Sequence, residues 1–279
     1  MKAIVSHDID HFTITEHLFK DLIVPKHMVR AHLEFMKGFI SFSELLDRMR
    51  EVFSNQWNYI PELIKFNKGL GIPTTFFLGV KNGLGLSYSL SQAQLCMEYL
   101  KVQKVDFGLH GIQFENESRI EQEFDLFRSV SGLKDFGMRM HYVRMNENTL
   151  SNFSKLGAKY DTTVSSFENP YKIGEMWEFP FQIMDGWIIE NGKKQQSRSL
   201  IQCKEETLKI LDQCEGLNLK YIGIDFHDRY FSKSHKTWMA WYIWLMEELK
   251  LRKIEFTSFE EAISELTLSS TNQLQQMNL

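Results

Sequence analysis

Short apolar runs ending in polar clusters alternate with helix-like stretches along most of this chain. That alternation is its strongest constraint. Parallel strands need crossover connections, usually helices, so strand-helix repetition favours a mostly parallel sheet. Ala3-Ile4-Val5 leads into Ser6-His7-Asp8-Ile9-Asp10-His11, and Val105 to Leu109 leads into His110. Phe136-Gly137-Met138 leads into Arg139-Met140-His141, and Tyr221 to Phe226 leads into His227-Asp228. Side chains at the carboxyl ends of barrel strands converge on one open face, where barrel enzymes keep their chemistry.

The pattern predicts helices over 31–38, 41–54 and 58–69, then a strand over 74–78 after the break at Gly71-Ile72-Pro73. A helix follows from Ser91, read as its N-cap, to Val102. Further helices are expected over 117–130, 147–156, 205–214, 235–251 and 258–266. Strands are expected over 136–139, 159–161, 220–226 and 254–256. Residues 162–200 lack helical period and carry Pro170, Pro180, Gly174, Gly186 and Gly192, so they read as loops and short strands. The expected architecture is a single α/β domain over residues 1–268, a barrel in preference to an open sheet, followed by a flexible polar tail over 269–279. No Gly-rich phosphate loop follows any strand, which counts against a nucleotide-binding fold.

With 279 residues, 43% of them hydrophobic, the chain can bury a large core. A net charge of −4 without a basic run points away from nucleic acid and anionic membranes. Three cysteines (Cys96, Cys203 and Cys214) without short metal-type spacing argue against a disulfide framework or a cysteine zinc site. Reduced thiols, no leader-like segment and no bilayer-length apolar run together give the expectation of a cytoplasmic protein without a membrane span.

Asp8 and Asp10 are two apart at a strand end, so their side chains share a face. One carboxylate can bind a metal while the other acts as a base. A lone Asp there would more often cap a turn. His110 ends an apolar strand; by itself it could be a satisfied core histidine, but beside the Asp pair it suits a mixed N/O site for zinc or a similar ion. Arg139 and His141 are again two apart, and the planar guanidinium suits holding a carboxylate or forming an ion pair. His227 could donate a proton or hydrogen-bond in the core.

The order of these motifs resembles the polysaccharide deacetylase family. Asp-x-Asp follows the first strand, then Gly108-Leu109-His110, Gly137-x-Arg139-x-His141, Tyr160-Asp161-Thr162-Thr163, Glu178-Phe179-Pro180 and the late His227. The likeness spans residues 6 to about 231 and looks closest to a branch associated with surface-polysaccharide biosynthesis, whose members begin Ser/Thr-His-Asp-x-Asp. The resemblance implies a distorted (β/α)7 barrel that removes acetyl groups using a divalent metal, with zinc expected. It assigns Asp8 as catalytic base, Asp10 and His110 as metal ligands, and Arg139 as the group orienting the base. It assigns His227 as acid or intermediate stabiliser and Asp161 to a more structural role.

Two departures stand out. Ile9 separates the acidic pair, which the family usually has adjacent, and Phe114 occupies the position of the family's second metal histidine. His141 is the leading replacement ligand, with Glu115 and His7 behind it.

The leading expectation is therefore hydrolysis of an N-acetyl or similar acyl group on a small-molecule or lipid-linked amino sugar, with aromatics around Trp177–Trp187 stacking on the sugar. Three competitors remain: a non-catalytic sugar-binding barrel, motivated by Phe114; a barrel phosphoesterase; and a phosphatase using Asp8 as nucleophile.

Overall fold

A computed structural model describes residues 1–17 and 21–277, with side chains described through Ser269. Strand β1 (Lys2–Ile9) is the centre of the sheet. It pairs in parallel with β2 (Thr74–Leu78) along one edge and with β9 (Tyr221–Asp225) along the other. The sheet then runs outward from β2 through β3 (Asp106–Gly111), β4 (Gly137–Met140), β5 (Tyr160–Asp161), β7 (Met176–Glu178) and β6 (Tyr171–Ile173). On the other side β8 (Ile183–Met184) lies against β9, and β10 (Glu255–Phe256) pairs with the start of β1. Among the strand pairs of the described residues, only β6–β7 is antiparallel.

The sheet curls into a half-barrel, as the barrel expected from the strand-helix alternation and the distorted form implied by the resemblance both required. The gap between its ends is narrowed where the Phe181 N–H donates to the Val164 carbonyl at 2.9 Å. Two glycines permit the tight strand approach. A Cβ on Gly137 would overlap the Tyr160 ring, and one on Gly108 would overlap the Gly137 carbonyl. Small residues are therefore required where β3, β4 and β5 meet.

Among the described residues ten α-helices flank these strands, and their boundaries show how caps decide placement. Helices α1 (Ile23–Met36), α2 (Phe42–Ser54) and α3 (Ile60–Gly69) separate β1 from β2. Helix α4 (Leu90–Val102) is capped by Ser89, not Ser91. Ser89 and Gln92 satisfy each other's backbone N–H groups in a capping box, an arrangement Ser91 lacks. Next come α5 (Glu117–Ser131) and α6 (Thr149–Lys155). Helix α7 (Asp185–Glu190) lies within the stretch expected to be loops and strands; at six residues it is too short to show a helical period. Helix α8 (Leu200–Gly216) starts five residues before its expected position, at a second Ser–Gln capping box. Helix α9 (Lys236–Leu251) closes the main core, and α10 (Phe259–Met277) runs well past its expected end. The polar segment expected as a flexible tail thus begins as helix, and residues 278–279 lie outside the described residues.

The apolar sides of these helices bury one large core containing Trp241, Tyr242, Phe76, Phe124 and Phe127. A smaller cluster around Phe77, Tyr160, Trp177 and Phe259 fills the other end of the barrel. All three cysteines are buried and free. Among the described residues, no helix is long and apolar enough to cross a membrane.

Candidate functional site

The carboxyl ends of β1, β3, β4 and β9 open onto a cleft of about 980 Å³. Asp8, Asp10, His110, His141 and His227 all line it. Register explains part of this convergence: His110 and Arg139 are direct partners across β3 and β4, and Ser6 partners Asp225 across β1 and β9.

Three donor atoms form a compact triangle. Asp10 Oδ1 lies 3.4 Å from His110 Nε2 and 3.3 Å from His141 Nδ1, and the two nitrogens are 3.0 Å apart. The outer nitrogens face backbone carbonyls: His110 Nδ1 is 3.1 Å from the Arg139 carbonyl and His141 Nε2 is 3.1 Å from the Leu84 carbonyl. A carbonyl only accepts, so both outer nitrogens carry protons. In neutral rings the inner nitrogens then present lone pairs to each other. That arrangement is repulsive unless a cation or a proton sits between them. Asp10 Oδ1 is buried and makes no hydrogen bond, which adds a third lone pair aimed inward. Bonds of about 2.0–2.1 Å at tetrahedral angles put zinc ligands roughly 3.4 Å apart, close to these edges. The donor set therefore fits a divalent ion, and the carbonyls hold the imidazoles in the ligand tautomer.

The backbone around His141 is strained. Tyr142 and Val143 follow it at φ 57° and 48°, and Leu84, whose carbonyl it contacts, sits at φ 56°. Left-handed backbone is unusual for a β-branched residue and costs roughly 1–3 kcal/mol, so the surrounding packing must impose it.

Asp8 lies next to this triangle, its Oδ2 3.7 Å from His110 Nε2. Burial alone would raise the Asp8 carboxyl, but its electrostatic interactions with His110 and with the Arg139 guanidinium outweigh it and hold it below its ordinary value. Arg139 is buried across the barrel floor. It donates to Asp8 Oδ1 at 3.0 Å, to Ser6 Oγ at 2.6 Å and to the Thr162 carbonyl at 3.1 Å. The Phe77 and Phe181 rings lie 4.9 and 5.4 Å from its guanidinium carbon. Its Nη1 is also 2.7 Å from Asp225 Oδ1. Burial pushes the Asp225 carboxyl up to about 7, against the pull of Arg139. Asp8, Asp225 and His227 also come close enough to hold an ion. Arg139 already supplies the positive charge to both of those carboxylates.

His227 completes the rim. Its Nδ1 is 2.9 Å from Asp185 Oδ1, its backbone N–H donates to Asp185 Oδ2 at 2.7 Å, and its Nε2 lies 3.7 Å from Asp10 Oδ2. Burial would lower this imidazole, but Asp185 more than offsets it, and the net shift is well above the ordinary histidine value. His227 is therefore an imidazolium at neutral pH, with the Nε2 proton available on the Asp10 side.

Several expectations need correction. His7 is a core histidine: its Nδ1 donates to the Phe226 carbonyl at 2.8 Å and its Nε2 accepts from Asn67. Glu115 is exposed and does not line the cleft. Phe114 is half-buried beneath the Arg144 guanidinium. Trp177 belongs to the buried cluster at the far end of the barrel, whereas Trp187 does line the cleft, with Tyr142, Tyr230 and Trp238. Asp161 has a structural setting. Its carboxylate accepts the Thr163 N–H and hydroxyl, at 3.0 and 2.8 Å, two residues along the chain.

Asp185, Asp225 and Ser6 carry weight that the sequence reading did not assign. Asp225 could have been found, since it precedes His227 by two at a strand end. Asp185 stood in an aperiodic stretch with no signal of its own.

No protein-family model matches the chain, and no curated protein is significantly similar in sequence. Solved structures do match. A protein described as a polysaccharide deacetylase from Mycobacterium smegmatis superposes with a TM-score of 0.63 at 12% identity, over 96% of this chain and 91% of its own. Another from Pseudomonas aeruginosa PAO1 gives 0.60 at 13% identity, over 93% and 88%. The allantoinase PuuE gives 0.60 at 12% identity, over 93% and 87%. The chain has the fold of the polysaccharide deacetylases.

Proposed function

We propose that this chain is a metal-dependent hydrolase that removes an N-acetyl or similar acyl group from an amino sugar in polysaccharide biosynthesis. The carrying observation is the triangle of Asp10 Oδ1, His110 Nε2 and His141 Nδ1, edged by Asp8 on one side and His227 on the other. In this reading His141 stands in for the ligand that Phe114 cannot provide, and its place beside Asp10 and His110 speaks against a non-catalytic barrel.

A divalent ion on these donors, zinc by donor chemistry, supplies Lewis acidity toward a carbonyl oxygen. The chain's own groups do the rest. Asp8, ionised at neutral pH and oriented by Arg139, accepts the proton of the attacking water as general base. His227, kept protonated by Asp185, donates from Nε2 to the departing amine. Trp187, Tyr142, Tyr230 and Trp238 offer apolar faces for a sugar ring. We place the substrate, small-molecule or lipid-linked, in the cytoplasm, consistent with three free cysteines.

The test pairs metal content with acetate release from a panel of free, nucleotide-linked and lipid-linked N-acetylhexosamines. Metal that His110→Ala and His141→Ala both remove, with acetate release lost in parallel, supports the reading. A parent protein that binds no metal at these residues and releases no acetate overturns it.

A further inference from the structure

A second cluster lies in the segment that follows β1. His11, Glu16 and His17 each offer one ligand atom, all within 4.8 Å of one another. His17 is fully buried. Its Nδ1 is 2.9 Å from Asp21 Oδ2. Asp21 also accepts the Ile23 N–H at 2.9 Å and the Ser87 hydroxyl at 3.0 Å, which fixes the carboxylate in place. A carboxylate so engaged orients His17 with its proton on Nδ1. The Nε2 lone pair then faces Glu16 Oε1 at 3.1 Å, and this nitrogen has no hydrogen-bond partner. His11 Nδ1 is likewise buried without a partner.

A protonated His17, shared between Glu16 and Asp21, would account for its own contacts and leave His11 Nδ1 unexplained. A cation at the centre answers all three atoms. The carboxylate–histidine arrangement is the outer support that metal-binding imidazoles usually have. Glu16 is itself held in place, its Oε1 accepting the Phe12 N–H at 2.9 Å. The two imidazoles meet edge to face at 4.6 Å, and both lie against the fully buried Trp57 ring.

We propose that His11, Glu16 and His17 form a second divalent-metal site, supported by Asp21. Two imidazoles and one carboxylate suit zinc or a neighbouring first-row ion, with a fourth position left for water. The ion ties the segment after β1 to the Trp57 floor beside the cleft. None of its ligands belongs to the Asp10–His110–His141 triangle, so the two sites stand or fall separately.

Zinc stoichiometry after equilibration with excess zinc and desalting tests this, in protein prepared without chelator or affinity metal. The parent should carry two zinc ions per chain. His17→Ala and the near-isosteric Glu16→Gln should each carry one, as should His110→Ala, and the His17→Ala/His110→Ala double variant none. Circular dichroism verifies that each variant is folded, and Glu16→Gln preserves the test should His17→Ala unfold. Two ions retained in a folded Glu16→Gln or His17→Ala overturns the second site. So does a parent with a single ion that only His110→Ala removes, and so does a parent that binds none. A single ion lost in Glu16→Gln but kept in His110→Ala upholds the second site and sinks the hydrolase reading instead.

Discussion

The two clusters of metal-type donors are built in opposite ways. Asp10, His110 and His141 come from the ends of three strands, with sequence gaps of 100 and 31 residues. His11, Glu16 and His17 come from seven consecutive positions outside the sheet. The first is positioned by parallel pairing and cannot form unless the barrel does. The second is positioned by local turns, Asp21 and the packing of Trp57. Catalytic precision favours rigid elements, so the strand-end site is the better place for chemistry and the loop cluster for anchoring.

The largest expected effect separates the two outright. Asp8→Asn should lower kcat/KM for acetate release by about 10³–10⁴-fold, the upper range for loss of a general base, with metal content and fold retained. Full activity in that variant would mean that Asp8 is not the base. Next, Asp185→Asn should lower kcat by about 10²-fold, since His227 loses the carboxylate that keeps it protonated. The same substitution should shift the alkaline limb of the kcat profile to lower pH. An unmoved limb would remove His227 from the role of acid.

Gly137→Ala tests dependence on the sheet. Overlap with Tyr160 should destabilise the protein by about 1–3 kcal/mol in urea unfolding. It should weaken metal at the strand-end triangle while leaving the loop cluster's affinity alone. Equal losses at both would erase the distinction. On the other side, Asp21→Asn should weaken only the loop cluster, by about 10-fold in zinc affinity.

Glu123 lies outside both clusters, and its effect is read in how stability varies with pH. Its carboxylate accepts the Ile112 and Gln113 N–H groups just past His110, and burial pushes it up to about 7 from an ordinary 4.5. The folded protein therefore holds a proton between those values that the unfolded chain has released. This stability is complete below pH 4.5 and is lost as pH rises through 7, on the order of 3 kcal/mol at most. Glu123→Gln should flatten that part of the stability profile. An unchanged slope would assign it to other buried acids, such as Asp225.

Fold class was legible because strand runs and helical stretches alternate at spacings that parallel pairing demands. The strand-end residues were legible for the same reason: once β1, β3, β4 and β9 are parallel, Asp8, His110, Arg139 and His227 must share a face. Helix starts were less so. Ser89 and Ser91 each have a Gln three residues later, Gln92 and Gln94, and only the folded structure shows that Ser89 and Gln92 close the capping box. Among the histidines, residue type said little. His7 and His141 each end an apolar run, yet one is satisfied by Phe226 and Asn67 and the other faces Asp10.

Local periodicity and strand-end chemistry were set by the order of residues alone, because both depend on neighbours a few positions apart. Which nitrogens are left unpaired, which histidine comes to lie beside Asp10 and His110, and which carboxylate holds His227 were decided only in three dimensions. Those outcomes depend on contacts between residues 31 to 131 positions apart, as in His110–His141, Asp185–His227 and Asp8–Arg139. Such contacts exist only after the sheet has curled and buried them, and burial makes an unpaired lone pair costly enough to demand a partner.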